Sequence, residues 1–449
     1  MNSITGFLQN SDVADDFSRM DKSRRSGNYF FSFDEQVLES NFSKFERKGI
    51  TIFILGNVYK YLDTKIDNVW FSELIFREKL QNLNNELSKI DGYYSLVIID
   101  RINKKTSIIT DRLGMSPFYI YESHKHALSW GTDIRLMLKE IENIELDKPA
   151  ICSYLDISHF LGDSTPYKKI KRIKPASIIS INNIDGSIIK SERYWSWSNI
   201  KRIEIDFDTA VDRLYGLFID AVSARLEPDK QYCLTLSGGL DSRALLGAIN
   251  QLDNYKVSCL TFGIPTSPDV MIATSACKVV DIEHKVVEIS KDHWVDGRKA
   301  GVLATAGMKS LFHMHVLNSL NEIKSMGDHV INGYLGDLTL GGGYLSKNFS
   351  GFKTAKEIAE EKFGKYIDFI NFDDEYFNHE SSDPIFIYHR GVRFTSMGTD
   401  LVSESVVNLK PFVDNRLLEF VYSLDDSYRV NGKLYHSMLV KYFPDLFTT

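Results

Sequence analysis

Apolar residues come in short runs through the first third of the chain and at helical spacing after it. Residues 29–33 and 51–59 are rich in aromatic and β-branched side chains, and residues 92–100 form a longer run of the same kind. A polar turn at Asn103-Lys104-Lys105 separates that run from residues 106–110, which predicts a hairpin. Residues 111–121 read as a charged turn leading into an aromatic strand, equally at home on the edge of a β-sandwich. Between 208 and 226, Ala210, Val211, Leu214, Leu217, Phe218 and Ala221 recur at helical spacing. Tyr232 to Leu236 then suits a buried parallel strand, and Ala244, Leu245, Leu246 and Ile249 return to the helical period. Further strands at 256–263 and from His329 alternate with helical stretches. This alternation predicts a doubly wound parallel sheet with its ligand at the carboxyl ends of the strands. A boundary is predicted between Trp197 and Phe207, giving domains at 1–200 and 201–449.

The length of 449 residues and a hydrophobic share of 43% are enough for two cores. A net charge of −7 argues against a general nucleic-acid binder, although residues 168–174 are locally basic. Cys152, Cys233, Cys259 and Cys277 are scattered without a Cys-x-x-Cys pair, and read as small buried residues in a reducing compartment. No apolar run has the length of a membrane span and the N-terminus lacks a signal-peptide pattern, so a cytoplasmic protein without membrane or nucleic-acid partners is expected.

The chemistry centres on Leu236-Ser237-Gly238-Gly239-Leu240-Asp241-Ser242. A strand, a glycine turn and a helix start together form an anion site, because the first N–H groups of a helix lack intrahelical partners and carry the positive end of its dipole. No lysine follows the glycines, so this is not the Gly-x-x-x-x-Gly-Lys nucleotide loop. Ser237, Ser242 and the loop amides suit a leaving pyrophosphate, and Asp241 a magnesium ion. An ordinary serine-glycine turn is the plainer alternative. The stretch resembles the Ser-Gly-Gly-x-Asp-Ser loop of the ATP pyrophosphatases, the PP-loop family, which implies ATP cleaved between its α- and β-phosphates.

Gly92-x-Tyr94-Ser95-Leu96 through Asp100, Asp111-Arg112-x-Gly114-x-x-Pro117-x-Tyr119, Thr165-Pro166-Tyr167 and Ile173-Lys174-Pro175 are similar to the N-terminal glutaminase domain of asparagine synthetases. The resemblance covers nearly the whole chain. It implies an α+β, Ntn-type αββα sandwich followed by an α/β PP-loop domain. It also implies an N-terminal cysteine nucleophile in active members. Here the sequence reads Met1-Asn2-Ser3, and Ser3 and Thr5 are poor substitutes because a hydroxyl is far less acidic than a thiol. A glutaminase fold without glutaminase activity, serving structure or substrate recruitment, is therefore expected.

The resemblance continues at Asn332-Gly333-Tyr334-Leu335-Gly336-Asp337, where asparagine synthetases have Ser-Gly-Glu-Gly-Ser-Asp-Glu. It makes Gly333 a nucleotide contact and Asp337 the second magnesium ligand, since an octahedral ion bridging phosphates wants more than one carboxylate. A loop carboxylate in water is the alternative for Asp337. It also turns Phe262 toward the adenine, although Phe262 is equally suited to plain core. Tyr334 stands where glutamate is expected, and Leu338 replaces a second glutamate. A tyrosine at that position is similar to β-lactam synthetase. Tyr334 is then either half of a dyad that deprotonates an amine, with Glu404 as first partner and Asp400 as second, or a wall of the acyl pocket. Residues 346–383 read as an inserted helix and loop over the acceptor site, and Pro411-Phe412-Val413-Asp414 as a turn with Asp414 capping a helix. The family's Gly-x-x-Lys near the C-terminus meets Gly432-Lys433-Leu434-Tyr435, so Lys433 comes two residues too soon. Either Lys433 serves, or Lys441 does, or the lysine is missing.

The reading implied is an ATP- and Mg2+-dependent amide synthetase that makes an acyl-adenylate from a small-molecule or peptide carboxylate and passes it to ammonia or an amine. Lactam formation, peptide cyclisation and sugar uronic acid amidation are alternatives within that chemistry. An RNA-modifying PP-loop enzyme is disfavoured by the charge. An inactive ATP-binding scaffold is favoured by the missing cysteine and the displaced lysine. A homodimer or a pathway partner is left open.

Overall fold

A computed structural model describes residues 3–8, 25–33, 41–123, 126–141, 143–290, 294–342, 345 and 353–448. They form two compact units, one of Met1–Ser196 with Ala306–Met308, the other of Trp197–Thr305 with Lys309–Thr449.

The first unit is a sandwich of two antiparallel sheets. One runs in the order Ile170–Arg172, Tyr119–Ser123, His126–Gly131, Ile4–Leu8, Tyr29–Phe33, Arg25–Ser26, and the other Ile188–Arg193, Ser177–Asn182, Lys105–Thr110, Ile90–Asp100, Ile50–Tyr61, Phe42–Arg47. The expected hairpin is present, with Asp100 opposite Lys105. Alternate residues of its first strand serve two cores. Val97 and Ile99 join Ile4, Phe118 and Trp130, whereas Leu96 and Ile98 join Phe71, Leu74 and Leu83 of the helix Asn68–Leu87. Burial on both faces is why this strand is apolar throughout rather than alternating. The short helix Ile134–Met137 packs on the first sheet.

The charged turn after the hairpin is organised by one carboxylate. Buried Asp111 accepts the N–H groups of Leu113, Met115 and Ser116, each at 3.0 Å. Gly114 sits at φ +65° where a side chain would meet Pro175, which explains that glycine. Ser3 and Thr5 are buried, Thr5 between Ser32 and Gly131 in the first sheet.

The second unit holds a five-stranded parallel sheet. In chain order its strands are β1 (Gln231–Thr235), β2 (Lys256–Gly263), β3 (His284–Glu288), β4 (His329–Ile331) and β5 (Val407–Leu409), and in space they run β3-β2-β1-β4-β5. The helices that bear on the site are α1 (Phe207–Ala224), α2 (Leu240–Asn250), α3 (Pro268–Val279), α4 (Asn415–Ser423) and α5 (Lys433–Tyr442). Asp414 caps α4 as expected, accepting the N–H groups of Arg416 and Leu417 at 3.0 and 3.2 Å. It also holds the buried Arg225 guanidinium at 3.2 Å, tying the end of α1 to the start of α4. Of the polar insertion, Ala355–Phe363 is a helix with a Thr354/Glu357 capping box, and residues 346–352 lie outside the described residues. No helix among the described residues is long and apolar enough to cross a membrane.

Strand order reverses at β1/β4, because the chain first builds outward through β2 and β3 and then returns to lay β4 on the other side of β1. At such a switch point the loops leaving two adjacent strands diverge and open a crevice at their carboxyl ends.

Replacing Asp111 by Ala leaves three N–H groups without their acceptor, and about 3 kcal/mol of local stability is expected to be lost. Native-state hydrogen exchange of residues 105–110 should then quicken by roughly 100-fold. Unchanged exchange would refute the role given to this carboxylate.

Candidate active site

The loop after β1 is held from both sides. The Leu236 N–H donates to the Leu260 carbonyl at 2.9 Å, and the Leu236 carbonyl accepts the Thr261 hydroxyl at 2.8 Å. Within the loop, the Ser237 N–H donates to Ser242 Oγ at 3.0 Å and the Gly239 N–H to Ser237 Oγ at 3.2 Å. The Gly238 N–H donates to Asp269 Oδ1 of α3, also at 3.0 Å. The three loop amides thus have internal partners. An incoming phosphate would displace the Asp269 carboxylate from Gly238, or bind at the first turn of α2, whose N-cap Gly239 supplies no side-chain acceptor.

The segment after β4 closes onto α2. A Cβ on Gly333 would lie 3.0 Å from Asp241 Cβ, and one on Gly336 would lie 2.3 Å from Asp241 Cγ, so only glycine allows this approach. Between them Leu335 is held at φ +68° while buried, the kind of backbone strain that gathers at functional sites. The Asp337 N–H donates to Asp241 Oδ2 at 2.8 Å. The Tyr435 hydroxyl, from α5, donates to Asp241 Oδ1 at 3.2 Å.

Burial is the main force that pushes the Asp241 carboxyl up to about 7. The Asp337 amide opposes it, the negative charge of Asp337 adds to it, and the Tyr435 hydroxyl opposes it. Tyr435 is itself pushed well up, by burial first and then by Asp241, so its hydroxyl stays a donor. Among the described residues no group of three or more His, Cys, Asp or Glu could hold a metal. The protein would therefore supply two carboxylates, Asp241 and the exposed Asp337, to a hard ion that completes its shell with phosphate oxygens and water. A desolvated carboxylate whose proton affinity is raised by the charge of a neighbouring one, walled by glycines, fits such an ion.

The other expected residues are dispersed. Gly333 lies against Asp241 and the Ser242 amide. Phe262, half-buried at the end of β2, packs against the cluster of Cys233, Leu260 and Val330. Tyr334 is buried, and its ring centroid lies 5.4 Å from the Lys410 ammonium. Lys410 pairs with Asp400 at 2.5 Å, and Asp400 also accepts from Asn408 at 3.0 Å and from Ser396. Asp400 thus stands behind the ammonium that lies over the Tyr334 ring, and Glu404 is exposed at the end of the same turn. Lys433 is exposed on α5, its ammonium 4.5 Å from the Phe207 ring centroid, and Lys441 pairs with Asp212 on the surface of α1. It is Tyr435 that reaches the Asp241 carboxylate. It occupies the third position after Gly432, where the pattern Gly-x-x-Lys wants its lysine, and that spacing was the signal available for it.

A second group had no signature, because its members come from two distant segments. Lys309 is buried, donates to the Phe394 carbonyl at 2.6 Å and lies 3.5 Å from the Phe394 ring centroid. Burial, then the charge of Arg390, brings its ammonium down to about 7. His313 is lowered by burial, then by Lys309, His315 and Arg390, so the charges acting on this cluster are all positive. It adjoins the turn bearing Asp400, since a Cβ on Gly398 would fall 3.2 Å from Lys309 Cε. A buried ammonium beside the exposed Arg390 and His313 suits an anionic ligand.

Comparison with known proteins covers both units. Residues 72–195 match a glutamine amidotransferase domain, and residues 213–368 match asparagine synthase. A probable glutamine-hydrolyzing asparagine synthetase of Acanthamoeba polyphaga mimivirus is 27% identical over 216 residues, 47% of this chain and 38% of that protein. A putative glutamine-hydrolyzing asparagine synthetase of Methanocaldococcus jannaschii is 26% identical over 242 residues, 52% of this chain and 47% of that protein. The match thus spans less than half the length of these relatives. Among solved structures, the glutamine phosphoribosylpyrophosphate amidotransferase of B. subtilis complexed with ADP and GMP covers 74% of this chain and 75% of that one at 11% identity. Its TM-score of 0.24 is too low for residue-level equivalence. With a glutamine amidotransferase domain followed by an asparagine synthase domain on one polypeptide, the chain belongs to the asparagine synthetase-like family.

Proposed function

We propose that this protein is an ATP-dependent carbon–nitrogen ligase that activates a carboxylate as an acyl-adenylate, releasing pyrophosphate, and then passes the acyl group to ammonia or an amine, releasing AMP. The observation that carries the reading is the meeting of Asp241 and Asp337 across the switch point, beside the start of α2. Magnesium, held by these two carboxylates, would screen the nucleotide's phosphates.

The chain's own groups divide the remaining work. The loop 237–242 and the positive end of α2 would seat the phosphates, with Ser237 and Ser242 fixing the loop's shape. The Lys309, His313 and Arg390 cluster would hold the negative charge of the carboxylate substrate and orient it toward the α-phosphate. Tyr334 would take or orient the amine proton, with Lys410 and Asp400 behind it. Glu404 is the weaker candidate, being exposed. Lys433 would have to leave the Phe207 ring to reach the phosphates. The amine is read as coming from elsewhere than glutamine hydrolysis in the first unit, because Ser3 and Thr5 are buried there.

With Mg2+, ATP and a panel of carboxylic acids and amines, pyrophosphate release is expected, and Asp241→Asn and Asp337→Asn should each lower turnover by at least about 100-fold. A variant of either with normal turnover defeats the two-carboxylate reading. Glutamine alone should yield no glutamate, and sustained hydrolysis by purified protein would overturn that expectation.

Asp241 also makes a pH prediction for the metal-free protein. Its carboxyl is raised in the folded state to about 7. The stability it contributes is therefore fully present below the ordinary carboxyl value of about 4 and lost as pH rises through about 7. Asp241→Asn escapes that loss, so at pH 8 without metal the variant should be the more stable by about 2 kcal/mol, and the gap should close near pH 4. Thermal melts across this range check it, and a variant less stable at pH 8 would contradict it.

A further inference from the structure

Three elements distant in sequence close on one carboxyl group. Asp241 stands in the first turn of α2, the Asp337 amide reaches one of its oxygens, and the Tyr435 hydroxyl reaches the other. A carboxylate rotates easily about its last side-chain torsion, so a single donor leaves its plane loosely set, whereas donors on both oxygens from separate elements fix it. The Gly336 backbone lies against the carboxyl carbon and restricts the plane further. Tyr435 has little slack of its own, being 1% exposed with its ring edge-on to Phe412 at 6.3 Å between centroids.

The supporting backbone is equally close. A Cβ on Gly342, which sits at φ +58°, would fall 2.0 Å from the Arg429 carbonyl, and one on Gly432 would fall 3.0 Å from the Gly341 carbonyl. The start of α5 is thus packed on the turn that begins at Asp337. Lys433 and Tyr435 are two residues apart, about 200° round the helix, so α5 gives the lysine to Phe207 and the tyrosine to Asp241.

We propose that Tyr435 is a positioning residue whose hydroxyl sets the Asp241 carboxylate for a metal–nucleotide complex, and thereby couples binding of that complex to the docking of α5. The proposal rests on the reading of Asp241 and Asp337 as the metal site. It implies that α5 acts through Asp241 by a neutral hydroxyl rather than by delivering an ammonium to the phosphates.

The test titrates Mn2+ into the full chain with α,β-methylene ATP, following free Mn2+ by electron paramagnetic resonance. Tyr435→Phe keeps the ring and removes the donor, and Mn2+ binding in the presence of the analogue should weaken about tenfold. Binding of the analogue without metal should stay unchanged, and the melting temperature should stay within about 2 °C. Tyr435→Gln, which restores a donor, should recover part of the lost affinity. In turnover the change should appear as a higher Mg2+ requirement with kcat at saturating metal largely kept. Equal Mn2+ affinity in wild type and Tyr435→Phe overturns the proposal. So does a Phe variant that loses metal-free analogue binding and thermal stability together, which would make Tyr435 purely structural. If wild type takes up no Mn2+ with the analogue, the metal-site reading itself falls and Tyr435's role with it.

Discussion

The negative charge of the exposed Asp337 bears on the largely buried carboxyl of Asp241, and the candidate site of the second unit is arranged around that conflict. The Asp337 amide is drawn onto the Asp241 carboxylate, which brings the neighbouring Asp337 carboxylate close enough to raise the proton affinity of Asp241. In a low-dielectric setting such an arrangement costs stability unless a cation or a proton relieves it. The glycines at 333 and 336 remove the side chains that would otherwise hold the two segments apart. The strained Leu335 backbone is consistent with tertiary packing prevailing over local preference there.

This conflict can arise only because of strand order. β1 and β4 are neighbours in space although 96 residues separate Asp241 from Asp337, and the reversal at β1/β4 places both loops at the same end of the sheet. Capping follows a complementary logic. Asp206, Ser267 and Asp414 supply side-chain caps to α1, α3 and α4, whereas α2 begins at Gly239 with none. α5 likewise begins at a glycine, Gly432, with no side-chain cap, so among α1 to α5 the two helices without one are those that meet at Asp241.

Around this centre the cations are segregated by burial. Lys441 spends its charge on the surface with Asp212, and Lys433 on an aromatic ring. Lys410 is buried and paired with Asp400. Lys309 is buried against a carbonyl, a ring and other cations, which is the costlier arrangement and the one most easily relieved by an anionic ligand. Polar contacts thus tie Tyr334 to a charge-balanced pair, while the neighbouring cluster keeps a surplus of positive charge.

What sequence alone determined was local. The hairpin at 90–110, the helix near 208–226, the strand-turn-helix at 231–250 and the Asp414 cap are written in periodicity and turn chemistry, because each depends on residues a few positions apart. The six-residue loop and Asp337 were legible for the same reason, as compact patterns. Only the tertiary structure decided which side chains meet. Tyr435 rather than Lys433 reaches Asp241, because helix phase turns two adjacent candidates to opposite sides. Asp400 comes near Tyr334 through Lys410, which follows β5 and lies over the Tyr334 ring while pairing with Asp400. The Lys309 cluster had no motif at all, because its charges gather from segments some 80 residues apart, and their mutual repulsion is a property of the packed chain, invisible along it.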